Sequence, residues 1–365
     1  MDMIKEGEAK IRLLDGVFYN QKATGLRNMS VLFLNAAKEL GMVNEESKLL
    51  DCTAATGIRG IRYALECGLR NVCFIDINKK AALLTRTNVR LNRIKADVKN
   101  ASIQKFTNST SVGAYDIIDL DPFGTVAPYV FDLMKISKDG TILMATATDT
   151  AVLCGAHRSA CIKLYSAIPL HGDICHETGT RILIGYIARI AAQFNFGIEV
   201  MLSIAEFHYI RVFIRLRRGA AAAYESASKN GFCTYCKRCS NFSCSFAPNS
   251  LGKKCAYCGA EMEFFGPLWL GNLYNKDIVR RMLKSASGTE MKTLKIIENE
   301  LDTPLFYYMP KITKFLGISS VPLLELVEKL GGSSRTQFSR DGIKTDKSIG
   351  YLIKIAKNIA KSKGL

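Results

Sequence analysis

The sequence predicts an α/β protein organised around a doubly wound sheet, and three observations carry that prediction. Short apolar runs at Leu49, Val72, Ile117, Ile142, Val200 and 209–216 alternate with helix-forming stretches between about residues 47 and 218, the pattern of repeated βα units. A turn of small residues, Thr53-Ala54-Ala55-Thr56-Gly57-Ile58-Arg59-Gly60, follows the first run and opens a helix. The last two runs, 201–206 and 208–216, are near enough to pair as an antiparallel hairpin that ends the sheet.

Residues 1–45 precede the sheet as an extended polar arm containing Val17-Phe18-Tyr19-Asn20 and Arg27, leading into a helix from about Ser30 to Leu40. The opening Met1-Asp2-Met3-Ile4-Lys5-Glu6 has charge and no apolar core, so no signal peptide is expected. The first strand, Leu49-Leu50-Asp51-Cys52, runs into the small-residue turn, where a ligand can approach the backbone at a helix N-terminus. That turn lacks the G-x-G-x-x-G fingerprint of dinucleotide sites. The second strand, Val72-Cys73-Phe74-Ile75, ends in Asp76, and an acidic residue there suits the two hydroxyls of a ribose. S-adenosylmethionine has such a ribose and needs no pyrophosphate cradle.

Two strands on, Tyr115-Asp116-Ile117-Ile118-Asp119-Leu120 ends in Asp121-Pro122-Phe123-Gly124. A carboxylate, a proline carbonyl and an aromatic face delivered together at a strand end fit a flat heterocycle bearing an exocyclic amine. Such an amine is a poor nucleophile, because its lone pair is delocalised into the ring. Hydrogen bonds from its N–H groups to the Asp121 carboxylate and the Pro122 carbonyl favour a pyramidal nitrogen whose lone pair points at an electrophilic methyl. Asp121 can then take the proton that transfer makes acidic, a role worth about 10²–10⁴-fold in rate. Phe123 would stack on the base, worth roughly 1–3 kcal/mol. Asp119 shares a strand face with Asp121, but only Asp121 begins the turn that aims the proline carbonyl. Asp149 suits either the pocket mouth or a helix cap, with the cap favoured. His176-Glu177 and His208 read as structural hydrogen-bonding groups, since methyl transfer to an amine needs neither.

At 365 residues the chain is long enough for two or three domains, and 48% hydrophobic content excludes general disorder. The net charge of +17 implies a polyanionic partner, most simply nucleic acid. The most apolar stretch, 181–205, is interrupted by Arg181, Arg189 and Glu199, which excludes a membrane span. The expectation is a cytoplasmic protein with no membrane partner and no evident obligate protein partner.

Of 12 cysteines, Cys52, Cys67, Cys73, Cys154, Cys161 and Cys175 are scattered in apolar or helical settings and read as reduced core residues. The other six crowd between Cys233 and Cys258. There the knuckles Cys233/Cys236 and Cys255/Cys258 have the spacing of a closed, structural zinc site. Cys236/Cys239 form a further C-x-x-C pair, so with Cys239 and Cys244 present the choice of ligands stays open. The expected organisation is an arm and helix at 1–45, a catalytic domain at 46–218, a cysteine segment at 219–265 and a basic C-terminal domain at 266–365. In the last, 329–347 combine Arg335, Phe338, Arg340, Lys344 and Lys347 with Gly331-Gly332, serines and threonines, which suits phosphate and base contacts.

These motifs resemble the tRNA guanine-26 N2-dimethyltransferase family along nearly the whole chain. The matching segments are Phe18-Tyr19-Asn20 with Arg27, the loop from Asp51 to Arg62, Asp119-Leu120-Asp121-Pro122-Phe123-Gly124, Ala147-Thr148-Asp149-Thr150 with Leu153-Cys154-Gly155, and Cys175-His176-Glu177. His208-Tyr209 with Arg211, the C-x-x-C pairs, and Ser334-Arg335-Thr336 with Lys344-Thr345-Asp346 complete the set. The resemblance implies a class I, Rossmann-like S-adenosylmethionine-dependent methyltransferase domain, a zinc-binding segment and a C-terminal α/β-containing RNA-binding domain. It implies transfer of one or two methyl groups to N2 of guanine 26 of tRNA. By position, Arg27, Arg59, Asp76, Asn100 and Ala101 would bind the cofactor, while Asp121 and Phe123 hold the guanine beside the Pro122 carbonyl. Asn100 stands where the family usually has Asp, and its side-chain oxygen can still accept from adenine N6. Gln337 stands where a His is usual. Two other classes share parts of the pattern: a DNA or other RNA amino-methyltransferase, and a non-catalytic RNA-binding protein with a vestigial cofactor fold. Retention of Arg59, Asp76 and Asp121 together argues against the second.

Overall fold

The computed structural model describes residues 3–206 and 208–364. The chain opens with an antiparallel hairpin, β1 (Met3–Glu6) and β2 (Ala9–Arg12), and not with an extended arm. Helix α1 (Thr24–Glu39) starts one and a half turns before the expected Ser30, because Leu26 and Met29 extend the apolar stripe of Phe33, Leu34 and Ala37 backwards.

Next come β3 (Lys48–Asp51), α2 (Ile58–Cys67), β4 (Asn71–Asp76), α3 (Lys79–Leu91), β5 (Ala96–Asn100), α4 (Ile103–Asn108), β6 (Ile117–Leu120), α5 (Ala127–Lys135) and β7 (Ile142–Ala147). Helices α6 (Thr150–Leu153), α7 (Arg158–Tyr165) and α8 (Cys175–Ala192) lead to the hairpin β8 (Phe196–Glu206) and β9 (Tyr209–Arg218). The seven strands lie in the order β5-β4-β3-β6-β7-β9-β8. The first five run parallel, and β9 runs antiparallel to both its neighbours, β7 and β8. Strand order reverses between β3 and β6, the switch point where open α/β sheets hold ligands beyond the strand carboxyl ends. The apolar runs Leu49-Leu50, Ile117-Ile118 and Ile142-Leu143-Met144 are buried, as expected of central parallel strands covered on both faces. Edge strand β5 has no such run, its residues being half-buried or exposed, and its sequence does not reveal it.

Helix α9 (Ala220–Ser228) precedes a three-stranded antiparallel sheet of β10 (Asn230–Tyr235), β11 (Phe242–Ser245) and β12 (Glu263–Trp269), ordered β11-β10-β12. After α10 (Lys276–Leu283) and α11 (Gly288–Asn299) comes a second small sheet. Its strands β13 (Tyr307–Tyr308), β14 (Ser333–Thr336) and β15 (Ser339–Thr345) are ordered β13-β15-β14, with α12 (Met309–Leu316), α13 (Leu323–Leu330) and α14 (Ile349–Lys363) around it. The main core takes in Tyr274, Ile278, Leu294 and Phe306. A smaller core joins Tyr307, Ile312, Ile343 and Ala356 to Cys236, Cys239 and Cys255. Residues 266–306 thus contribute to the core of the large sheet. Among the described residues, no helix is long and apolar enough to cross a membrane.

Candidate active site

A cavity of about 480 Å³ opens at the switch point. Its wall is assembled from separate pieces of chain: Phe18 and Tyr19 of the N-terminal region, Arg27 of α1, Thr53 to Thr56 after β3, Asp76 and Ile77 at the end of β4, and Asp121-Pro122-Phe123 after β6. Thr148, His208 and Tyr209 close the side nearest β7 and β9. The turn after β6 is pinned at both ends, with Asp121 N donating to Thr53 Oγ1 (3.1 Å) and Gly124 N to Thr148 Oγ1 (2.7 Å). Gly124 has φ +77°, left-handed backbone that glycine adopts without a Cβ penalty. Phe123 is 76% exposed and meets the half-exposed Phe18 edge-on, with ring centroids 4.7 Å apart. A large aromatic face held out of the core in this way is available to a flat ligand.

Arg59 Nε (2.7 Å) and Nη2 (2.5 Å) both donate to Asp121 Oδ2, which leaves Oδ1 to accept from a ligand. Burial disfavours the charge of Arg59, but Asp121, Asp119 and Tyr63 outweigh it and hold the guanidinium protonated. Arg59 Nη1 is buried without a hydrogen-bond partner among the described residues.

Asp119 has a different task. It accepts from Tyr63 Oη (2.6 Å) and from Arg211 Nη1 (3.1 Å) and Nη2 (2.9 Å), so it ties β6 to α2 and β9. Burial alone would raise its pKa, yet Arg211 and Arg59 hold it below the ordinary value. Its strand neighbour Asp51 is pushed up to about 7 by burial and by Asp119. Asp121 is therefore the carboxylate at the cavity, and Asp119 a structural anion beneath it.

Asp76 accepts from Ala55 N and Asn78 N, both at 2.8 Å, so its carboxylate is fixed on the wall. Asn100 and Ala101 lie one strand further out, off the cavity wall. Asn100 Nδ2 donates to the carbonyls of Asp76 (2.9 Å) and Ile77 (3.0 Å), and Ala101 N donates to the Asp76 carbonyl (3.1 Å). They brace the segment that carries Asp76. Arg27 is held at the wall mainly by Glu6, with further bonds from its Nη2 to the Asn20 carbonyl (3.0 Å) and Thr24 Oγ1 (3.3 Å). Glu6 accepts from Arg27 Nε (2.6 Å) and Nη2 (2.5 Å), Arg62 Nη1 (2.9 Å), Tyr19 Oη (2.8 Å) and Thr24 Oγ1 (3.1 Å). Burial would raise the pKa of Glu6, but these partners bring it down to about 2. The sequence does not single out Glu6, because Lys5-Glu6-Gly7-Glu8 has the composition of a solvated turn. Tyr129 and Thr146, also on the wall, sit inside a helix and a strand and carry no motif. Asp149 precedes α6, but its side chain makes no cap bond. Its carboxylate instead takes the Tyr165 hydroxyl, at 3.0 and 2.9 Å.

The thiols correct the expected zinc set. Cys233 and Cys244 face each other across β10 and β11 and are joined as a disulfide, so Cys233 is not a ligand. The four-thiol group is Cys236, Cys239, Cys255 and Cys258, with Sγ···Sγ separations of 3.4 Å for Cys236–Cys258 and 3.6 Å for Cys239–Cys255. A tetrahedral zinc with bonds of about 2.3 Å sets sulfurs about 3.8 Å apart, so this group fits a closed, all-thiolate site. Both knuckles close alike, Ser240 N donating to the Cys236 carbonyl and Gly259 N to that of Cys255, each at 2.9 Å.

The residues expected to touch RNA are also corrected. Lys344 is 1% exposed, and its Nζ is held by Glu177 (2.9 Å), Glu300 (3.1 Å) and the Thr303 carbonyl (3.0 Å). Glu177 also accepts from Arg181 Nε (2.8 Å) and Leu305 N (2.9 Å). Burial would raise its pKa, but Lys344 and Arg181 keep it low. Phe338 is buried, and Arg335 donates to the Arg340 carbonyl of its own hairpin. Gln337 Nε2 donates to the Ser203 carbonyl and to Tyr274 Oη, both at 2.8 Å. The segment from Ser334 to Lys344 thus locks the C-terminal region to the large sheet. Lys344 and Phe338 are out of reach of a polynucleotide.

The sequence profile of the N2,N2-dimethylguanosine tRNA methyltransferase family matches residues 2–357. A tRNA (guanine(26)-N(2))-dimethyltransferase of Methanothermobacter thermautotrophicus is 35% identical, over 96% of this chain and 97% of its own length. Its counterpart in Pyrococcus abyssi is 36% identical, over 94% and 95%. The solved structure of Trm1 from Pyrococcus horikoshii in complex with S-adenosyl-L-methionine superposes with a TM-score of 0.87 at 34% identity, covering 97% of this chain and 99% of that one. Likeness of sequence and of backbone, both nearly end to end, leads to one conclusion: this chain belongs to the N2,N2-dimethylguanosine tRNA methyltransferase family.

Proposed function

We propose that the chain transfers one or two methyl groups from S-adenosylmethionine to the exocyclic N2 of guanine 26 in tRNA. The observation that carries this reading is the Arg59–Asp121 pair at the head of the Pro122-Phe123 turn, on the same cavity wall as Asp76. The cavity suits the cofactor. Asp76 is an oriented acceptor for ribose hydroxyls, and Ile77, 75% exposed on the wall, offers an apolar face to adenine. Arg59 and Arg27, both on the wall, suit the amino-acid end. Asn100 and Ala101 flank the adenine side from β5. When bound, S-adenosylmethionine supplies an electrophilic methyl on a sulfonium.

The protein's part is to bind the guanine, expose its lone pair and receive a proton. Phe123 stacks on the base. Asp121 Oδ1 and the Pro122 carbonyl accept the two N2–H bonds, which draws the nitrogen toward a pyramidal geometry. Arg59, bonded to Oδ2, keeps the carboxylate aimed. After transfer, Asp121 takes the N2 proton and passes it to solvent. A guanine in a tRNA stem junction must leave its stack to enter the cavity, at a cost of a few kcal/mol, so the surrounding backbone must be gripped. Lys354, Lys357 and Lys361 project from one exposed face of α14 and suit phosphate contacts, a role that extends to the less buried Arg335.

The reading keeps the expected division at 1–45, 46–218, 219–265 and 266–365 with one change: residues 266–306, whose Tyr274, Ile278, Leu294 and Phe306 belong to the main core, go with the catalytic domain. It includes one zinc held by Cys236, Cys239, Cys255 and Cys258 and a cytoplasmic location. The test is nucleoside mass spectrometry of an unmodified tRNA transcript treated with protein and S-adenosylmethionine. N2-methyl- and N2,N2-dimethylguanosine should form, and should be lost when guanine 26 of the transcript is replaced by adenine. Methylation that persists in the replaced transcript, or that goes instead to duplex DNA, would overturn the assignment.

A further inference from the structure

Away from the cavity and from the four-thiol group, one more set of soft ligands converges among the described residues. Cys154 follows α6, Cys175 and His176 open α8, and their sulfur and imidazole donor atoms all lie within 4.8 Å of one another. Cys175 Sγ is 3.7 Å from His176 Nδ1, and Cys154 Sγ points to the Cys175 carbonyl at 3.5 Å. Neither sulfur is in a disulfide. With zinc bonds of about 2.3 Å to sulfur and 2.0–2.1 Å to nitrogen, the S···N edge of a tetrahedron is about 3.6 Å. The Cys175–His176 pair already spans that edge. Cys154 is buried while Cys175 and His176 are half-buried, so an ion here would keep one side toward solvent.

None of the three residues lines the cavity, and amine methylation gives a thiol nothing to do. Two thiols and an imidazole select zinc-class ions over magnesium or calcium, which prefer oxygen ligands. We propose that Cys154, Cys175 and His176 form a second, three-ligand site for a zinc-class divalent ion, with water at the fourth position. Binding releases the two thiol protons to solvent and forms two metal–sulfur bonds and one metal–nitrogen bond. The site joins two functional segments. Before α6, Asp149 holds Tyr165 Oη, which accepts from Thr125 (2.7 Å) next to the Asp121 turn. After His176, Glu177 holds Lys344 of the C-terminal hairpin.

The test uses the full chain, expressed with ample zinc, kept reduced and gel-filtered. Elemental analysis should give two zinc ions per chain. Cys175→Ser and His176→Ala should each lower the count to one and leave the four-thiol ion in place. Cobalt(II) added to protein containing only the four-thiol zinc should give the charge-transfer and ligand-field bands of a tetrahedral thiolate centre, absent from both variants. His176→Ala retains every thiol, so it serves if the serine variant fails to fold. One zinc per chain with no cobalt bands would overturn the proposal. So would bands that persist in both variants, which mark an adventitious ion only. A mass two hydrogens lower, mapped to a Cys154–Cys175 link in freshly reduced protein, would overturn it in favour of a redox pair.

Discussion

The turn from Asp121 to Gly124 and the hairpin from Ser333 to Thr345 look alike as sequence, each a short stretch of charge, aromatic ring and small residues. In the fold they do opposite things. Phe123 stands out at the mouth of a cavity, whereas Phe338 is packed into the core. Asp121 pairs with Arg59 through one oxygen and keeps the other for a ligand, whereas Lys344 is enclosed by Glu177 and Glu300. The difference lies in what each segment follows. The first leaves the carboxyl end of a central parallel strand at the switch point, where the architecture itself creates a cavity. The second is an antiparallel hairpin pressed against the large sheet, where a charge can remain only by being paired.

The sharpest way to break that contrast is to remove the buried amine. Lys344→Ala leaves Glu177 and Glu300 together without their shared cation, and breaking a buried pair on one side costs about 3–5 kcal/mol. The midpoint of chemical denaturation should fall accordingly, while the salt dependence of tRNA binding in the still-folded protein stays at its wild-type value. A variant as stable as wild type but with a flatter salt slope would return Lys344 to the RNA surface.

On the other side of the comparison, Asp121→Asn keeps shape and loses the proton acceptor. Turnover should drop by about 10²-fold or more, with S-adenosylmethionine affinity little changed in calorimetry. Asp119→Asn should act mainly on stability, because it releases Arg211 and Tyr63 inside the core. If Asp119→Asn abolished transfer in a fully folded protein while Asp121→Asn did not, the two carboxylates would have to exchange roles.

What could be read in advance follows the same physics. Central parallel strands are continuous apolar runs, so β3, β4, β6 and β7 are legible in the sequence, and the residues at their ends mark the cavity. Edge strand β5 has no such run and stays hidden. Glu6 is hidden too, because nothing local distinguishes a solvated glutamate from one whose two guanidinium partners lie 21 and 56 residues away. The zinc set is half legible. C-x-x-C spacing marks knuckles, but two of the three pairs share Cys236, and only the pairing of β10 with β11 removes Cys233 and leaves Cys236 with Cys239.

Glu6 also gives the comparison a pH signature. Its carboxyl is held near 2 in the folded protein, below the ordinary value of 4.5 that applies when unfolded. Its contribution to stability is therefore complete above about pH 4.5 and is lost as pH falls toward 2. Thermal melts of Glu6→Gln should lie below wild type at neutral pH and converge with it in that acid window. At neutral pH the freed Arg27 should also weaken S-adenosylmethionine binding by about tenfold, the size of one charge-assisted hydrogen bond. Parallel melting curves from pH 7 to pH 2 would separate Glu6 from the cofactor wall.

The smallest expected effect concerns where the positive charge meets RNA. With Lys344 enclosed, the net charge of +17 must act through side chains that reach solvent, and α14 presents three of them on one face. Lys354, Lys357 and Lys361 are spaced three and four residues apart and exposed, while Leu352, Ile353, Ala356 and Ile359 of the same helix are buried. The helix is thus anchored by one side and free on the other. Each phosphate contact contributes close to one unit to the slope of log affinity against log salt. Replacing all three lysines by alanine should therefore flatten that slope by up to about three units and raise the KM for tRNA several-fold. Turnover at saturating tRNA and cofactor affinity should stay near wild type, because the cavity lies on other elements. An unchanged slope in the triple variant would move the RNA grip to the N-terminal hairpin or the rim of the large sheet, and α14 would then serve only to cover the smaller core.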